Sequence, residues 1–404
     1  MESGKTMIRQ SLKLTPTILL LFLLAGCSST TVRTTAVTPV VQGDHNIPEQ
    51  QLLDVGIELF NPGLENIKEN DITAYPEVRL AEARYMPHRL MDTMQASANW
   101  GAVRIIPRDT SSVDVVVAGE ILHSDGESMS LKIWVSDATG LEWFEETYSA
   151  QASKFSYEAG RNHNQDPYQD IYNRIANDIA RYAKKLPSHQ VKKIRTIAEL
   201  RFAESFSPEA FGGYLATDKK GIYIFKRLPA DNDPMLERIH KIRERDYLYI
   251  DTLQDYYGSF VREMEDPYRD WLHNSYDEVL AYRELRSSSR KSAVAGAAAM
   301  IAGILAASSG NRSVRAAGGA SIAGGGWLIK NAMDKHSESA MHAEALQELG
   351  ASLSAEVGPQ IIELEDRTVT LTGTAQDQYE QWRAILRDIY AAEVGDGSIG
   401  DPEL

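Results

Sequence analysis

The sequence predicts an α+β protein that is built from several regions. Three observations support this prediction. Apolar residues alternate with a period of two in several short runs between residues 102 and 150, which is typical of half-buried strands. Segments between residues 151 and 290 carry apolar residues at helical spacing and contain Asp-Pro pairs typical of helix starts. The chain has 404 residues, whereas a single hydrophobic core seldom grows past about 250 residues.

The composition excludes several classes of protein. Apolar residues make up 43% and charged residues 25%, which is close to the average of globular proteins. The net charge of −15 disfavours nucleic acid as a partner, because a nucleic-acid binder needs a basic face. Cys27 is the single cysteine, so neither an intramolecular disulfide nor a cysteine metal cluster can form. Because the sequence also lacks an H-E-x-x-H, a Walker A and a dinucleotide-binding motif, we expect no metal and no cofactor.

The first 26 residues have the pattern of a secretory signal peptide. Lys5, Arg9 and Lys13 provide a cationic start, and an unbroken apolar run follows from Ile18 to Leu24. Counted from Leu14, the apolar stretch is about 11 residues, or roughly 17 Å as a helix, which is too short for a hydrocarbon core of about 30 Å. We predict that residues 1–26 are removed from the mature protein.

The residues at the end of this leader, Leu24-Ala25-Gly26-Cys27, resemble the lipobox of bacterial lipoproteins. The resemblance implies that Cys27 receives a diacylglycerol thioether and, after cleavage, an amide-linked acyl chain such as palmitate. The alternative is that Cys27 merely ends a transit peptide or lies in a core. Ser28 follows, instead of the Asp that implies retention at the inner membrane, so the resemblance favours the periplasmic face of the outer membrane. The Ser/Thr-rich residues after the cysteine predict a flexible tether over 27–50, with a full extension of roughly 75 Å.

Residues 51–150 predict a small α/β domain with the element order βαββββ. A strand over Leu52–Phe60 precedes a helix over Glu77–Ala98, in which Pro87 predicts a kink or a break. Asp125-Gly126 indicates a hairpin turn, because both residues tolerate the left-handed conformation. The remaining predicted strands cover Ala102–Pro107, Val113–Leu122, Met129–Val135 and Leu141–Tyr148.

Two motifs in this domain resemble those of envelope lipoproteins. They are the strand from Asp114 to Gly119 and the turn from Val135 to Gly140. The resemblance is to the fold shared by the curli-secretion lipoprotein, the activators of penicillin-binding proteins and the amino-terminal domain of TolB. These proteins bind partners and do not catalyse reactions, so the resemblance implies no catalytic residue. An unrelated small α/β sandwich is the alternative.

Residues 151–290 predict a helical region. Asp166-Pro167, Asp233-Pro234 and Asp266-Pro267 each predict a helix start, because Asp caps free N–H groups and Pro needs no hydrogen bond there. Seven tyrosines and one tryptophan lie between residues 235 and 286 and indicate either an ordinary core between helices or a protein interface. They are Tyr247, Tyr249, Tyr256, Tyr257, Tyr268, Trp271, Tyr276 and Tyr282.

Residues 291–335 predict a Gly/Ala-rich apolar hairpin. Its two arms, Ser292–Ser309 and Ala316–Ile329, contain no charged residue. The spacing of small residues lets backbones approach closely and resembles glycine-zipper segments. The hairpin could enter a bilayer, pack on the rest of the protein, or remain a mobile loop. The residues that we expect to form its packing or membrane surface are Gly296, Gly303, Gly310, Gly319 and Trp327.

Residues 336–393 predict an αββα module, and residues 394–404 predict a disordered tail. The run from Val369 to Thr374 resembles the BON domain, an envelope module associated with lipid or hydrophobic ligands, although the last strand of that domain is missing here. His336 and His342 are six residues apart, which places them on different faces of a helix and disfavours a metal site.

These observations predict a lipid-anchored periplasmic protein at the outer membrane that acts without catalysis, as a binding or assembly factor. Its expected partners are the lipid bilayer, through acylated Cys27, a periplasmic or outer-membrane protein, and further copies of itself in a homo-oligomer. A first alternative is a membrane-inserting or pore-type oligomer that uses residues 292–329. A second is an unrecognised envelope hydrolase, which is disfavoured because the sequence contains none of the G-x-S-x-G, H-E-x-x-H, Walker A or dinucleotide-binding motifs.

Overall fold

The structure is a computed structural model, and the part of the chain that it describes lies within one unit, Ala36–Leu404. Beyond residue 281, the long helix that contains it is described by its backbone alone. The described residues are 37–44, 47–48, 51–67, 74–108, 110, 112–157, 166–230, 232–307, 360–363 and 368–396.

The first part of the chain forms a five-stranded mixed sheet with two helices. The strand order is β2-β1-β3-β4-β5, in which β1 runs parallel to both neighbours and β3, β4 and β5 form an antiparallel meander. The predicted order βαββββ and the α+β class are therefore confirmed. The elements are β1 (Val55–Glu58), α1 (Pro76–Ala96), β2 (Val103–Ile106), β3 (Val115–Ser124), β4 (Ser128–Asp137), β5 (Glu142–Gln151) and α2 (Gln169–Ala183).

The core of this part lies between the sheet and helices α1 and α2. Alternation along β4 turns Leu131, Ile133 and Val135 inward, and all three are fully buried. α2 has an apolar stripe at helical spacing, with Ile171 and Ile175 fully buried. The apolar residues at strand spacing in the sheet and those at helical spacing in α2 thus pack in one hydrophobic core.

The second part of the chain is mostly helical. β6 and β7 form a short antiparallel hairpin, β8 and β9 form another, and α6 packs on α5. The elements are α3 (Ser188–Phe206), α4 (Pro208–Phe211), β6 (Leu215–Thr217), β7 (Tyr223–Phe225), α5 (Pro234–Ala307), β8 (Gln360–Glu363), β9 (Thr368–Leu371) and α6 (Ala375–Asp396).

The three Asp-Pro pairs behave differently. Asp233 confirms its prediction, since α5 begins at Pro234 and the carboxylate accepts the N–H of Met235 at 2.9 Å. Asp166 precedes a turn, and α2 begins only at Gln169. The prediction of a start at Asp266 is wrong, because α5 continues through Pro267. A proline inside a helix costs about 3 kcal/mol, and burial of the aromatic residues that follow Pro267 offsets this cost.

Helix α1 is also continuous where a break was expected. It runs from Pro76 to Ala96 with Pro87 inside it, so of the predicted kink or break the break does not occur. Residues on both sides of this proline, Met86 and Leu90, are fully buried, and their packing holds the helix together despite the missing N–H.

The aromatic residues of α5 form a core between helices. Tyr268 lies 4.9 Å from Tyr85 of α1 and 5.8 Å from Trp271, measured between ring centroids. Tyr268 and Trp271 are 2% and 1% exposed. For these two residues the interpretation as an inter-helix core is confirmed, and the interface interpretation is wrong.

The carboxy-terminal strands and helix match the predicted pattern of two strands followed by a helix. α6 extends to Asp396, past the boundary at residue 393 that we predicted for this module. The predicted helix that precedes these strands lies outside the described residues, as do His336 and His342. Within the part of the chain that the structure describes, no helix combines the length and the apolar character needed to cross a membrane.

Candidate functional site

Residues 37–44, which follow the predicted lipidation site, form an extended segment that lies against helix α2 and the end of α1. We call it the docked segment. Its amino-terminal end is fixed where the N–H of Thr38 donates to Asp170 Oδ1 at 2.8 Å. At its other end, Lys184 Nζ donates to the carbonyl of Gln42 at 3.3 Å. The segment therefore follows α2 from its first turn to its last.

Two buried asparagines of α2 bind the backbone of the docked segment. Asn177 donates to the carbonyl of Pro39 at 2.9 Å and accepts the N–H of Val41 at 2.7 Å. Asn173 donates to the carbonyl of Thr38 at 2.7 Å. These contacts involve only the main chain of the segment, so they fix its path and do not depend on which side chains it carries.

The end of the docked segment is fixed by a close approach to the end of α1. The N–H of Gly43 donates to the carbonyl of Ser97 at 2.7 Å, and Asn99 Nδ2 donates to the carbonyl of Val41 at 2.7 Å. A Cβ atom at residue 43 would lie 2.0 Å from the carbonyl oxygen of Ala98. Glycine is therefore required at this position by the space available.

The docked segment corrects the prediction of a flexible tether over residues 27–50. Residues 37–44 are bonded along the protein instead, because α2 offers amide side chains where the backbone would otherwise need water. Between Cys27 and Val37 there remain ten peptide steps, which span at most about 35 Å. The sequence carries a signal that we did not use: Asp170, Asn173 and Asn177 share one helix face at spacings of three and four.

A buried polar cluster around Glu82 joins α1 to β3 and α5. Ser124 Oγ donates to Glu82 Oε1 at 2.5 Å, and the hydroxyl of Tyr268 donates to the same oxygen at 2.7 Å. Arg79 Nε lies 3.8 Å from Glu82 Oε2. Burial raises the pKa of Glu82, against the opposing charge of Arg79 and the two hydrogen bonds. Because Glu82 is fully buried, we interpret the cluster as a structural connection between three elements.

The tip of the β3–β4 hairpin is enclosed by helix α5 and two tyrosines. The N–H of Gly126 donates to Ser275 Oγ of α5 at 3.0 Å. Tyr157 donates to the carbonyl of Gly126 at 2.6 Å, and Tyr168 donates to the carbonyl of Asp125 at 2.7 Å. Hairpin tips usually face solvent, whereas this one is enclosed. Its hydrogen bond to Ser275 fixes α5 against the sheet.

A second buried polar cluster lies where α5 meets the loop before β3 and helix α6. Asp114 is 1% exposed and accepts the N–H of Asp54 at 2.9 Å, and Asp246 is fully buried and accepts the hydroxyl of Tyr379 at 3.2 Å. Burial raises the pKa of each of these two buried carboxyl groups to about 6. The N–H of Asp54 and the charge of Arg243 lower the pKa of Asp114 only in part. The charge of Arg383, the hydroxyl of Tyr379 and the charge of Arg243 lower the pKa of Asp246 only in part.

A cavity of about 260 Å³ lies between β2, the end of α1 and α5. Arg104 and Asp251 on its wall form a paired contact, with Nε to Oδ1 at 2.7 Å and Nη2 to Oδ2 at 3.2 Å. Trp100 also lines the cavity, and its buried Nε1 has no hydrogen-bond partner in the described part of the chain. The Arg104–Asp251 pair is neutral overall, so it gives the cavity no preference for a charged ligand.

The residues that the sequence singled out are only partly covered by the structure. Gly296 and Gly303 lie within helix α5. Cys27, Gly310, Gly319 and Trp327 lie outside the described residues. The docked segment is thus the feature nearest in the chain to the predicted lipidation site.

Comparisons with known proteins give little further information. No protein-family model matches the chain, and no curated protein matches it. Among solved structures, the chain is similar to a dodecamer of a PelC variant from Paraburkholderia phytofirmans, at 13% identity and a TM-score of 0.19. The match covers 41% of this chain and 98% of that chain. A TM-score of 0.19 supports no argument about fold or function.

Proposed function

We propose that this protein is a lipid-anchored envelope protein, acylated at Cys27, that binds partners at the periplasmic face of the outer membrane without catalysing a reaction. The observation that carries the proposal is the leader with its terminal Leu24-Ala25-Gly26-Cys27. Two or more acyl chains on one residue anchor a protein stably, whereas a single chain gives marginal binding. The proposed acylation therefore implies permanent attachment to a membrane.

The arrangement of the described residues supports this role. The docked segment begins ten residues after Cys27, so a lipid anchor would hold the folded unit within about 35 Å of the bilayer surface. The buried carboxyl groups of Glu82, Asp114 and Asp246 each bond to neighbouring structural elements. These contacts favour a binding or assembly role over a hydrolase.

Acylation is tested by mass spectrometry of the mature protein from intact cells. We expect an amino-terminal Cys27 that carries diacylglycerol and an amide-linked chain, and loss of both in the Cys27→Ser variant. Ser29→Ala is the matched control and should be acylated normally. An uncleaved leader, or an amino terminus without acyl chains, would overturn the proposal.

The destination is tested by changing the residue after the lipidated cysteine. Fractionation of the two membranes should place the parent protein in the outer membrane and the Ser28→Asp variant in the inner membrane. If both proteins are found in the same membrane, the proposed location at the outer membrane is wrong, while acylation is judged separately by mass spectrometry.

A second candidate function is insertion of residues 292–329 into a bilayer, with oligomers of the chain forming a pore-type assembly. The observation that favours it is that α5 continues without interruption into the charge-free residues after Ser292 and ends at Ala307. Carbonate extraction of membranes from cells that produce the Cys27→Ser variant distinguishes the two functions. Retention in the membrane supports insertion, whereas full release supports the acyl chains as the anchor.

A further inference from the structure

A group of lysines stands out in this acidic protein. Between residues 179 and 198 the chain contains six basic residues and no acidic residue, although its net charge is −15. Four of these are paired along the chain, as Lys184-Lys185 after α2 and Lys192-Lys193 within α3. Since α2 ends at Ala183 and α3 begins at Ser188, the turn between the helices brings the two pairs to one corner of the protein.

The four lysines lie at the surface. Lys184, Lys185 and Lys192 are exposed, and Lys193 is half-buried. Within the described part of the chain, none of the four forms an ion pair with a carboxylate, whereas nearby Arg181 pairs with Asp178. The positive charges of the exposed Lys184, Lys185 and Lys192 are therefore available to a partner in solution or on a membrane.

The tip of the β6–β7 hairpin adds two more lysines to this corner. The pKa of Asp218 at the hairpin is lowered by the N–H groups of Ile222 and Lys220, and also by the charges of Lys220 and Lys193. Both strands of the hairpin pack on α3, and Lys193 of α3 and Lys220 of the hairpin lie near the same carboxylate. We call the combined surface the lysine corner: Lys184, Lys185, Lys192, Lys193, Lys219 and Lys220.

We propose that the lysine corner binds the surface of an anionic phospholipid bilayer. The proposal rests on the proposed acylation in one respect only, which is that the acyl chains would bring the protein to the membrane. The docked segment leads from the predicted anchor to this corner, where Lys184 bonds to Gln42. Along α2, the corner lies about 21 Å from Asp170, where the docked segment starts, so a tether of about 35 Å lets the corner reach the bilayer.

The residue type also favours a membrane over a specific anionic ligand. The two arginines between residues 179 and 198 are engaged within the protein, Arg181 with Asp178 and Arg195 with the carbonyl of Leu52. The side chains of the lysine corner are lysines, which act as mobile point charges, whereas arginines provide the paired hydrogen bonds typical of specific phosphate recognition. Binding to a layer of anionic lipid head groups depends on a high density of positive charge and not on precisely placed hydrogen bonds. The lysine corner provides this combination.

The negative net charge of the protein does not oppose this binding. Charges in salt solution are screened over about 8 Å at physiological ionic strength, so the membrane interacts with the local surface. At such a surface, each lysine near anionic lipid strengthens binding by about fivefold. Three lysines together therefore contribute about 100-fold.

The test uses the full-length Cys27→Ser chain, which cannot be acylated, in cosedimentation with lipid vesicles. One set of vesicles contains phosphatidylglycerol and phosphatidylcholine in equal parts, and the other contains phosphatidylcholine alone. A triple variant carries Lys184→Gln, Lys185→Gln and Lys192→Gln. The matched control has the same loss of charge at exposed positions on other elements, through Arg108→Gln, Lys154→Gln and Arg262→Gln. All chains keep the same leader, so differences between them report the substituted residues.

We expect the lysine triple variant to bind the anionic vesicles about 100-fold more weakly and the control to bind like the parent. The triple Lys→Arg variant at the same positions should retain binding, because it keeps the charge. Equal binding by the parent and the Gln triple variant would overturn the proposal. The proposal would also be overturned if the Gln triple variant lost more affinity for a single-stranded oligonucleotide than for the anionic vesicles, because that result would identify a soluble polyanion as the partner. If thermal melting shows that the Gln triple variant is unfolded, the single Lys185→Gln variant is measured instead, with an expected loss of about fivefold.

The result is independent of the test of acylation. The vesicle experiment uses a chain without acyl groups, whereas the proposed function is judged by the mass of the native amino terminus. Loss of the lysine effect with normal acylation would refute the lysine corner alone. A lysine effect without acylation would leave the lysine corner intact and refute the anchor.

Discussion

The substitution Gly43→Ala should release the docked segment. The added Cβ would lie 2.0 Å from the carbonyl oxygen and 2.6 Å from the carbonyl carbon of Ala98, and both atoms belong to the backbone. Ala98 cannot yield easily, because it already has a left-handed conformation with φ of 52° at the end of α1. We therefore expect the segment to move away from α1.

The cost of this release follows from the hydrogen bonds that are lost. The N–H of Gly43 loses the carbonyl of Ser97, and Asn99 loses the carbonyl of Val41. At about 0.5 to 1.5 kcal/mol for each bond, the end of the segment loses about 1 to 3 kcal/mol. Amide hydrogen exchange in residues 38–43 should become about 5 to 150 times faster. Global stability should fall by no more than the free energy of docking the segment, because the atoms nearest to the added Cβ belong to Ala98 and Asn99, which lie outside the apolar core.

Hydrogen exchange measured by mass spectrometry checks this prediction, with Gly258→Ala as the control. Gly258 lies inside α5, where a Cβ meets only the end of Arg262 at 3.4 Å, so alanine should stabilise the helix by about 0.5 to 1 kcal/mol. If exchange in residues 38–43 is unchanged in Gly43→Ala, the close approach to Ala98 is wrong, and so is our account of the docked segment.

Three further predictions concern other contacts. Asn177→Ala removes two hydrogen bonds to the docked segment and should cost about 1 to 3 kcal/mol, seen as faster exchange at Val41. Gly126→Ala places a Cβ 2.1 Å from the backbone nitrogen of Tyr276, so urea denaturation should show a loss of several kcal/mol, and an unchanged midpoint would contradict this. Because burial raises the pKa of Asp114 and Asp246 to about 6, from 3.8, the folded protein binds more protons than the unfolded chain between these values. Stability should therefore fall as pH rises from about 4 to 6, by about 1 to 3 kcal/mol for each group, and Asp114→Asn should reduce this slope in denaturation curves.

Local signals in the sequence were sufficient to predict much of the fold. Alternation in β3 and β4 and the Asp125-Gly126 turn predicted the meander, because each depends on residues that are close in the chain. The helix start predicted at Pro267 is wrong and no break occurs at Pro87, both for one reason. A proline disfavours a helix interior locally, but burial of neighbouring side chains outweighs that cost, and burial depends on residues distant in sequence.

The candidate site was less accessible to sequence reasoning. The Ser/Thr-rich composition of residues 28–50 predicted a free tether, and only the tertiary structure places Asn173 and Asn177 beside that chain. The lysine corner depends on the turn between α2 and α3 and on the β6–β7 hairpin, which the sequence separates by about 30 residues. The lysine pairs themselves are visible in the sequence, but their assembly into one surface is a property of the fold.

Helix α5 is long enough to transmit a force over a large distance. Its 74 residues correspond to a rod of about 110 Å, and the amino-terminal part of that rod is fixed to the sheet through Ser275 and Gly126. From residue 282 to its end at Ala307, the rod continues for about 39 Å. A load applied at Ala307 would therefore act over this length on the part of α5 that is held by the hydrogen bonds at the hairpin tip and by the buried packing of Tyr268 and Trp271.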